Sequence, residues 1–218
     1  MKAIGLILLL ALNNNLLSQD RQDDKMFSKF NLSFSGGVNF SKNSSVGGSF
    51  QFAGKTDISS RVNIKLSLGY SLVKENADYT VYTYDYAVID NIEGYELEVF
   101  NINQIQYSII PINLGLEYTL SENIFSPYVL IEAGYNFYTT EEQVASSGSI
   151  GWVETKDEIP VEHRNAVPNA FDDSCYGLGA GIGIRYKISQ SFALEMIYVY
   201  RYHDKIINSH QLLFGVTI

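Results

Sequence analysis

The sequence predicts an all-β fold, an eight-stranded antiparallel transmembrane β-barrel preceded by an N-terminal signal peptide. Three observations predict it. Beyond the first twenty residues, apolar and polar side chains alternate with period two in eight separate runs, the pattern of strands with one apolar and one polar face. No stretch of eighteen consecutive apolar residues follows the N-terminal region, so crossing by helices is excluded. The composition, with 16 Tyr, 12 Phe and 17 Gly in 218 residues, suits β-structure better than a helical bundle.

Lys2 and the apolar stretch from Ala3 to Leu12 form a charged start and a hydrophobic segment that would reach only roughly 15 Å as a helix, half a bilayer core. This reads as a signal peptide over 1–18, with cleavage after Ser18, followed by a short segment, 19–28, and the barrel over 29–218. No Cys follows the apolar stretch to accept a lipid, and the lone Cys175 excludes both an internal disulfide and a zinc site built from four cysteines. The net charge of -9 offers no positive surface for a phosphate backbone, so nucleic acid is excluded as a partner.

The first run places Phe30, Leu32, Phe34, Val38 and Phe40 on one face, and the second Val46, Phe50 and Phe52. The third has the row Val62, Ile64, Leu66, Leu68, Tyr70 and Leu72. The fourth ends with Ile110, Ile112, Leu114, Leu116 and Tyr118, but upstream of Pro111 the apolar residues Ile105, Tyr107 and Ile109 fall on the other parity. A one-residue bulge near Ile110 is expected there, since Pro111 cannot donate to the ladder. The fifth sets Val129, Ile131, Ala133, Tyr135 and Phe137 against Tyr128, Leu130, Glu132, Gly134 and Asn136. In the sixth, Tyr176 to Tyr186 alternate with Gly177, Gly179, Gly181, Gly183 and Arg185; in the seventh, Phe192 to Tyr202 alternate with Glu195 and Arg201 among others. The eighth is Leu212, Phe214, Val216 and Ile218.

The polar face decides which way the barrel turns. A soluble barrel would carry many charges there, whereas this face holds Gly, Ser, Asn and Gln with isolated Lys65, Glu117, Glu132, Arg185, Glu195 and Arg201. Three acids and three bases suit a narrow interior in which each charge meets an opposite one, with Glu195 paired to Arg185 across a short turn. The glycines of the sixth run leave room for long side chains from neighbouring strands. Tyr118, Tyr176, Tyr186, Phe192, Tyr200 and Tyr202 lie near run ends on the apolar face, as an interfacial girdle requires. Connections are short at one end (57–60, 121–126, 189–190) and long at the other, and long loops belong outside the cell. The long ones, Lys74–Glu98 and Tyr138–Ser174, each carry a net charge of -6, and TVYTY in the first predicts a hairpin above the membrane.

With its signal segment, eight strands, SIIPINLGLEYTL and FSPYVLIEAGY, the chain resembles the outer-membrane β-barrel domain proteins of Gram-negative bacteria, of Bacteroidota type and related to OmpA/OmpX-like barrels. The final LLFGVTI resembles their outer-membrane insertion signal, although it ends in Ile218 instead of Phe or Trp. The resemblance implies the bacterial outer membrane as location, its lipids and lipopolysaccharide as surroundings, and the outer-membrane assembly machinery as a partner. It implies a non-enzymatic protein contributing to outer-membrane structure or to surface interaction through acidic loops. Those loops would face an extracellular ligand or weakly held divalent cations, though no ordered calcium-ligand spacing is present. One alternative is a narrow, porin-like ion or small-solute pore, against which a filled eight-strand interior argues. The other is a lipid-modifying enzyme using His203, Asp204, Ser209 and His210. Adjacent Ser209 and His210 point to opposite faces of a strand, and turn polarity explains the group better. His163 is isolated and no phosphate loop occurs, so neither a catalytic residue nor a cofactor or metal is expected.

Overall fold

The computed structural model describes residues 30–42, 44–168, 170–189 and 192–218; the expected signal peptide and the 19–28 segment lie outside the described residues. Eight strands form the wall: β1 (Phe30–Phe40), β2 (Gly47–Asp57), β3 (Val62–Ile89), β4 (Ile92–Thr119), β5 (Phe125–Val153), β6 (Ala170–Lys187), β7 (Ala193–His203) and β8 (Ser209–Thr217). Each is antiparallel to its sequence neighbour, and β8 returns to β1 with Ser33 opposite Thr217 and Phe40 opposite His210, so the sheet closes. A two-residue strand, Ser44–Ser45, pairs with Lys74 and Glu75 above β2. Closure leaves no unpaired edge within the ring, the condition under which strands can stand in lipid.

The sides follow the sequence periodicity. Along β7 burial alternates without a break: Leu194, Met196, Tyr198, Tyr200 and Tyr202 face out, while Glu195, Ile197, Val199, Arg201 and His203 face in. On β5 the outward set is Val129, Ile131, Tyr135 and Phe137, and the inward set Tyr128, Leu130, Glu132 and Asn136. Leu66 and Ile182 are 59% and 61% exposed on this outer surface, an apolar belt of a size that water-soluble proteins avoid. Strands β1, β2 and β7 have 11 residues and β8 has 9, the length that a tilted strand needs to cross a hydrocarbon core.

One expectation is corrected. The register runs straight through Pro111, with Ile112 opposite Leu68 and Ile109 opposite Ser71, so no bulge occurs at Ile110. Ile109 is buried inside while Ile110 faces out; the apparent phase change reflects an apolar filling of the upper interior. The register shifts instead between Asn76 and Tyr79 against β4, and between Leu97 and Gln104 against β5. The hairpin expected within the first long acidic segment is present, and the second is strand over much of its length as well. Lys74–Glu98 is sheet except at Asp90–Asn91, whose positive φ values of 51° and 63° and flanking Ile89–Ile92 pair make the two-residue turn that matches strand twist. Strand β5 continues to Val153, and the remaining connection contains two short 3-10 turns, Lys156–Glu158 and Val161–His163. Tyrosines 79, 82, 84, 86 and 95 favour this extension, because aromatic side chains pack well on a pleated surface.

Replacing Leu66, Ile182 or Met196 by Arg is expected to cost about 2 to 4 kcal/mol for positions near the bilayer midplane. Reversible unfolding from lipid bilayers measures this; three unchanged stabilities would contradict an outward belt.

Candidate functional site

Near the short-turn end, four inward side chains from β2, β4, β6 and β7 form a closed ring of alternating charge. Lys55 Nζ lies 3.0 Å from Glu117 Oε1 and 2.8 Å from Glu195 Oε1. Arg185 Nη2 lies 2.9 Å from Glu117 Oε2 and 2.8 Å from Glu195 Oε1. Each cation therefore touches both anions. The Tyr128 ring stands beside both, 5.7 Å from Lys55 Nζ and 5.0 Å from Arg185 Cζ, and adds cation–π attraction in a confined space. Lys55 is absent from the six charged residues singled out in the sequence. It shares the inward parity of Gln51 and Ala53, so extending the second run past Gly54 would have found it.

A second layer lies above. Arg201 Nη1 is 2.7 Å from Glu132 Oε1, and Arg201 Nε donates to Gln211, whose Nε2 donates to Ser71. Lys65 sits directly opposite Lys55 across β2 and β3, and the two diverge: Lys65 Nζ donates to Gln51 Oε1 at 3.1 Å. Among the described residues no carboxylate stands within ion-pair distance of Lys65. The glycines of β6 create the space for this filling. A Cβ on Gly179 would stand 2.6 Å from Glu132 Cγ, one on Gly177 2.5 Å from Asn136 Nδ2, and one on Gly183 would collide with the Tyr128 ring.

At the other end the interior is apolar. Val73, Ile109, Tyr138 and Cys175 pack together with Tyr107, and Ile206 and Ile207 of the β7–β8 connection close over them. Below this plug, His203 Nδ1 lies 3.2 Å from Asn136 Nδ2 inside the barrel. His210 stands on the outer wall, stacked on Phe40 and within 2.7 Å of the Tyr198 hydroxyl, whereas Ser209 is buried inside. The barrel wall thus separates His210 from Ser209 and His203, and Asp204 Oδ1 accepts from the Tyr176 backbone N–H. No nucleophile, base and orienting acid meet in this group. Among the described residues no three His, Cys, Asp or Glu side chains gather as a metal site.

Beyond the belt, β3, β4 and β5 continue as a three-stranded ribbon; Tyr79 to Ile89 alone reach roughly 33 Å along the strand. The 154–168 connection is fastened to it. His163 is buried, its Nδ1 3.0 Å from the Thr83 carbonyl oxygen and its ring edge-on to Tyr82, and Asn165 Nδ2 donates to the Tyr82 carbonyl. Acidic groups crowd the ribbon: Asp85 lies directly opposite Glu96, and partial burial with these two neighbours raises the Glu98 carboxyl above its ordinary value. At the base, Tyr79 OH donates to Glu142 Oε1 at 2.7 Å. Partial burial, that hydrogen bond and the carboxylate charge push the Tyr79 phenol from 10.0 up to about 12.

Two outcomes follow. Glu195→Ala leaves Lys55 and Arg185 short of one anion and is expected to destabilise folding by about 3 to 5 kcal/mol, whereas exposed Glu154→Ala should stay within roughly 0.5. A double-mutant cycle on Glu195 and Arg185 should show coupling, and its absence would reject the pair. The second concerns the ribbon base, where the neutral phenol donates to Glu142. Its contribution is complete below pH 10 and is lost as pH rises toward about 12. Ultraviolet titration should show a tyrosine component near pH 12 that is lost in Tyr79→Phe and moves partway toward 10 in Glu142→Gln, where burial still acts.

Residues 9–218 match the family model described as outer membrane protein beta-barrel domain. No curated protein matches the sequence. Among solved structures, Neisserial surface protein A is similar with a TM-score of 0.52 and 13% identity, covering 87% of this chain and 96% of that one. Ail, the attachment invasion locus protein of Yersinia pestis, gives 0.43 and 9%, over 87% and 96% of the two chains. The N-terminal β-barrel domain of Pseudomonas aeruginosa OprF gives 0.41 and 12%, over 86% and 95%. At such identities the likeness to Neisserial surface protein A is one of fold. A closed antiparallel ring with an apolar outer belt, matched over nearly its whole length, belongs to the outer membrane protein beta-barrel domain family and resides in the bacterial outer membrane.

Proposed function

We propose that this protein is a non-enzymatic anchor, a sealed outer-membrane barrel that adds to the structure of the membrane and holds an acidic ribbon above it as an interaction surface. The observation that carries this reading is the filled interior: the charge ring, the Arg201–Glu132 layer and the plug under Ile206 and Ile207 succeed one another along the axis. Eight-strand barrels are narrow enough for side chains to fill them. The long strands take the extracellular side, as in bacterial outer-membrane barrels, so the acidic segments stand in the medium and the short turns in the periplasm. The apolar belt meets outer-membrane lipids and lipopolysaccharide, LLFGVTI serves the assembly machinery, and residues 1–18 serve export. The separation of His210 from Ser209 by the wall speaks against a lipid-modifying enzyme built on that group.

The refolded full chain in planar bilayers should give no stepwise conductance. Steady open-channel currents from the wild-type protein would overturn the sealed reading in favour of a narrow pore.

A further inference from the structure

The far end of the ribbon carries an aromatic cluster. Tyr86 lies opposite Tyr95 across β3 and β4, and Tyr84 is two residues from Tyr86, so the three share one face. The Tyr95 ring meets both edge-on, with centroids 5.7 Å from Tyr84 and 5.8 Å from Tyr86 and planes at 78° and 71°. Tyr86 is 53% exposed. Glu93 follows on the same face, opposite Val88 and diagonal to Tyr86. Asp85, Glu96 and Glu98 project from the other face, because Asp85 pairs with Glu96 and Thr83 with Glu98. From Lys74 to Glu98 there are seven acids and one base.

We propose that Tyr84, Tyr86, Tyr95 and Glu93 form a binding site for arginine side chains of an extended cationic peptide, a ligand class that rests on the reading of the ribbon as an interaction surface. Exposed aromatic faces attract cations, and guanidinium stacks on them while donating to a carboxylate, which makes arginine a better match than lysine. The charge of the ribbon selects the sign of the partner. A second copy of this chain brings the same negative charge, and anionic lipid or nucleic acid is repelled likewise. An uncharged sugar would stack on the rings but draw nothing from the field.

Fluorescence anisotropy of labelled hexa-arginine, titrated with the full chain in phosphatidylcholine nanodiscs at about 0.15 M salt, tests the site. Saturable binding is expected, weaker for hexalysine and absent for hexaglutamate. Tyr86→Ala with Tyr95→Ala should weaken it by roughly fivefold or more, and Glu93→Gln should also weaken it, while Tyr86→Phe keeps the ring and binds nearly as well. Neutralising the opposite face by Glu96→Gln with Glu98→Gln should weaken binding less than the tyrosine pair does, since those carboxylates act only through the screened field. Hexa-arginine binding that ignores the tyrosine pair, or that falls equally with the opposite-face pair, would overturn this site while leaving an acidic interaction surface. No hexa-arginine binding by the wild-type chain would overturn both. Heat-modifiable gel mobility confirms that each variant retains its barrel.

Discussion

Closure of the sheet is the constraint on which the rest of the structure depends. In hydrocarbon an unpaired backbone N–H or carbonyl has no water to turn to, so a strand can stand there only with both neighbours present. The β1–β8 seam meets that demand. Once the ring is closed at eight strands its diameter is set, and so is the small interior that side chains must fill. Outward residues then need only be apolar. Inward ones must fit one another, and the selective chemistry of the wall is concentrated there.

Burying charge in such a space is costly unless each charge is matched. The barrel answers with a ring in which Lys55 and Arg185 each touch both Glu117 and Glu195. Such a ring tolerates no single loss, since removing any member leaves two opposite charges short of a partner. The glycines of β6 complete the arrangement: without a Cβ at Gly179 and Gly183, Glu132 and Tyr128 can lie flat against the backbone. The paired charges and the vacant Cβ positions form one packing solution, drawn from five strands.

Above the membrane the closure constraint lapses, because water can satisfy backbone groups, and the sheet opens into a ribbon of three strands. Its chemistry changes at the same level. Apolar belt residues give way to tyrosines and carboxylates, and the connection carrying His163 and Asn165 ties itself to β3 through backbone carbonyls. A closed wall beneath thus passes into an extended acidic sheet above. The ribbon is therefore positioned by strands continuous with the barrel, which holds it more firmly than a free loop would.

The strand count, the inward and outward parity of β3, β6 and β7, and the apolar belt were legible in the order of residues, because these depend only on a period of two along a single strand. The fifth run also resolves as its alternation implied, with Glu132 inside. Which charges meet was set by the closed barrel, since stagger and tilt between strands fix the level at which side chains face one another across the interior. That is why Lys55 takes both glutamates while Lys65, directly opposite it, takes Gln51. The same limit explains Tyr107 and Ile109, whose parity looked like a slip at Pro111. Whether an inward position wants an apolar or a polar residue depends on its depth and on Ile206 and Ile207 arriving from more than ninety residues away, which no local period records.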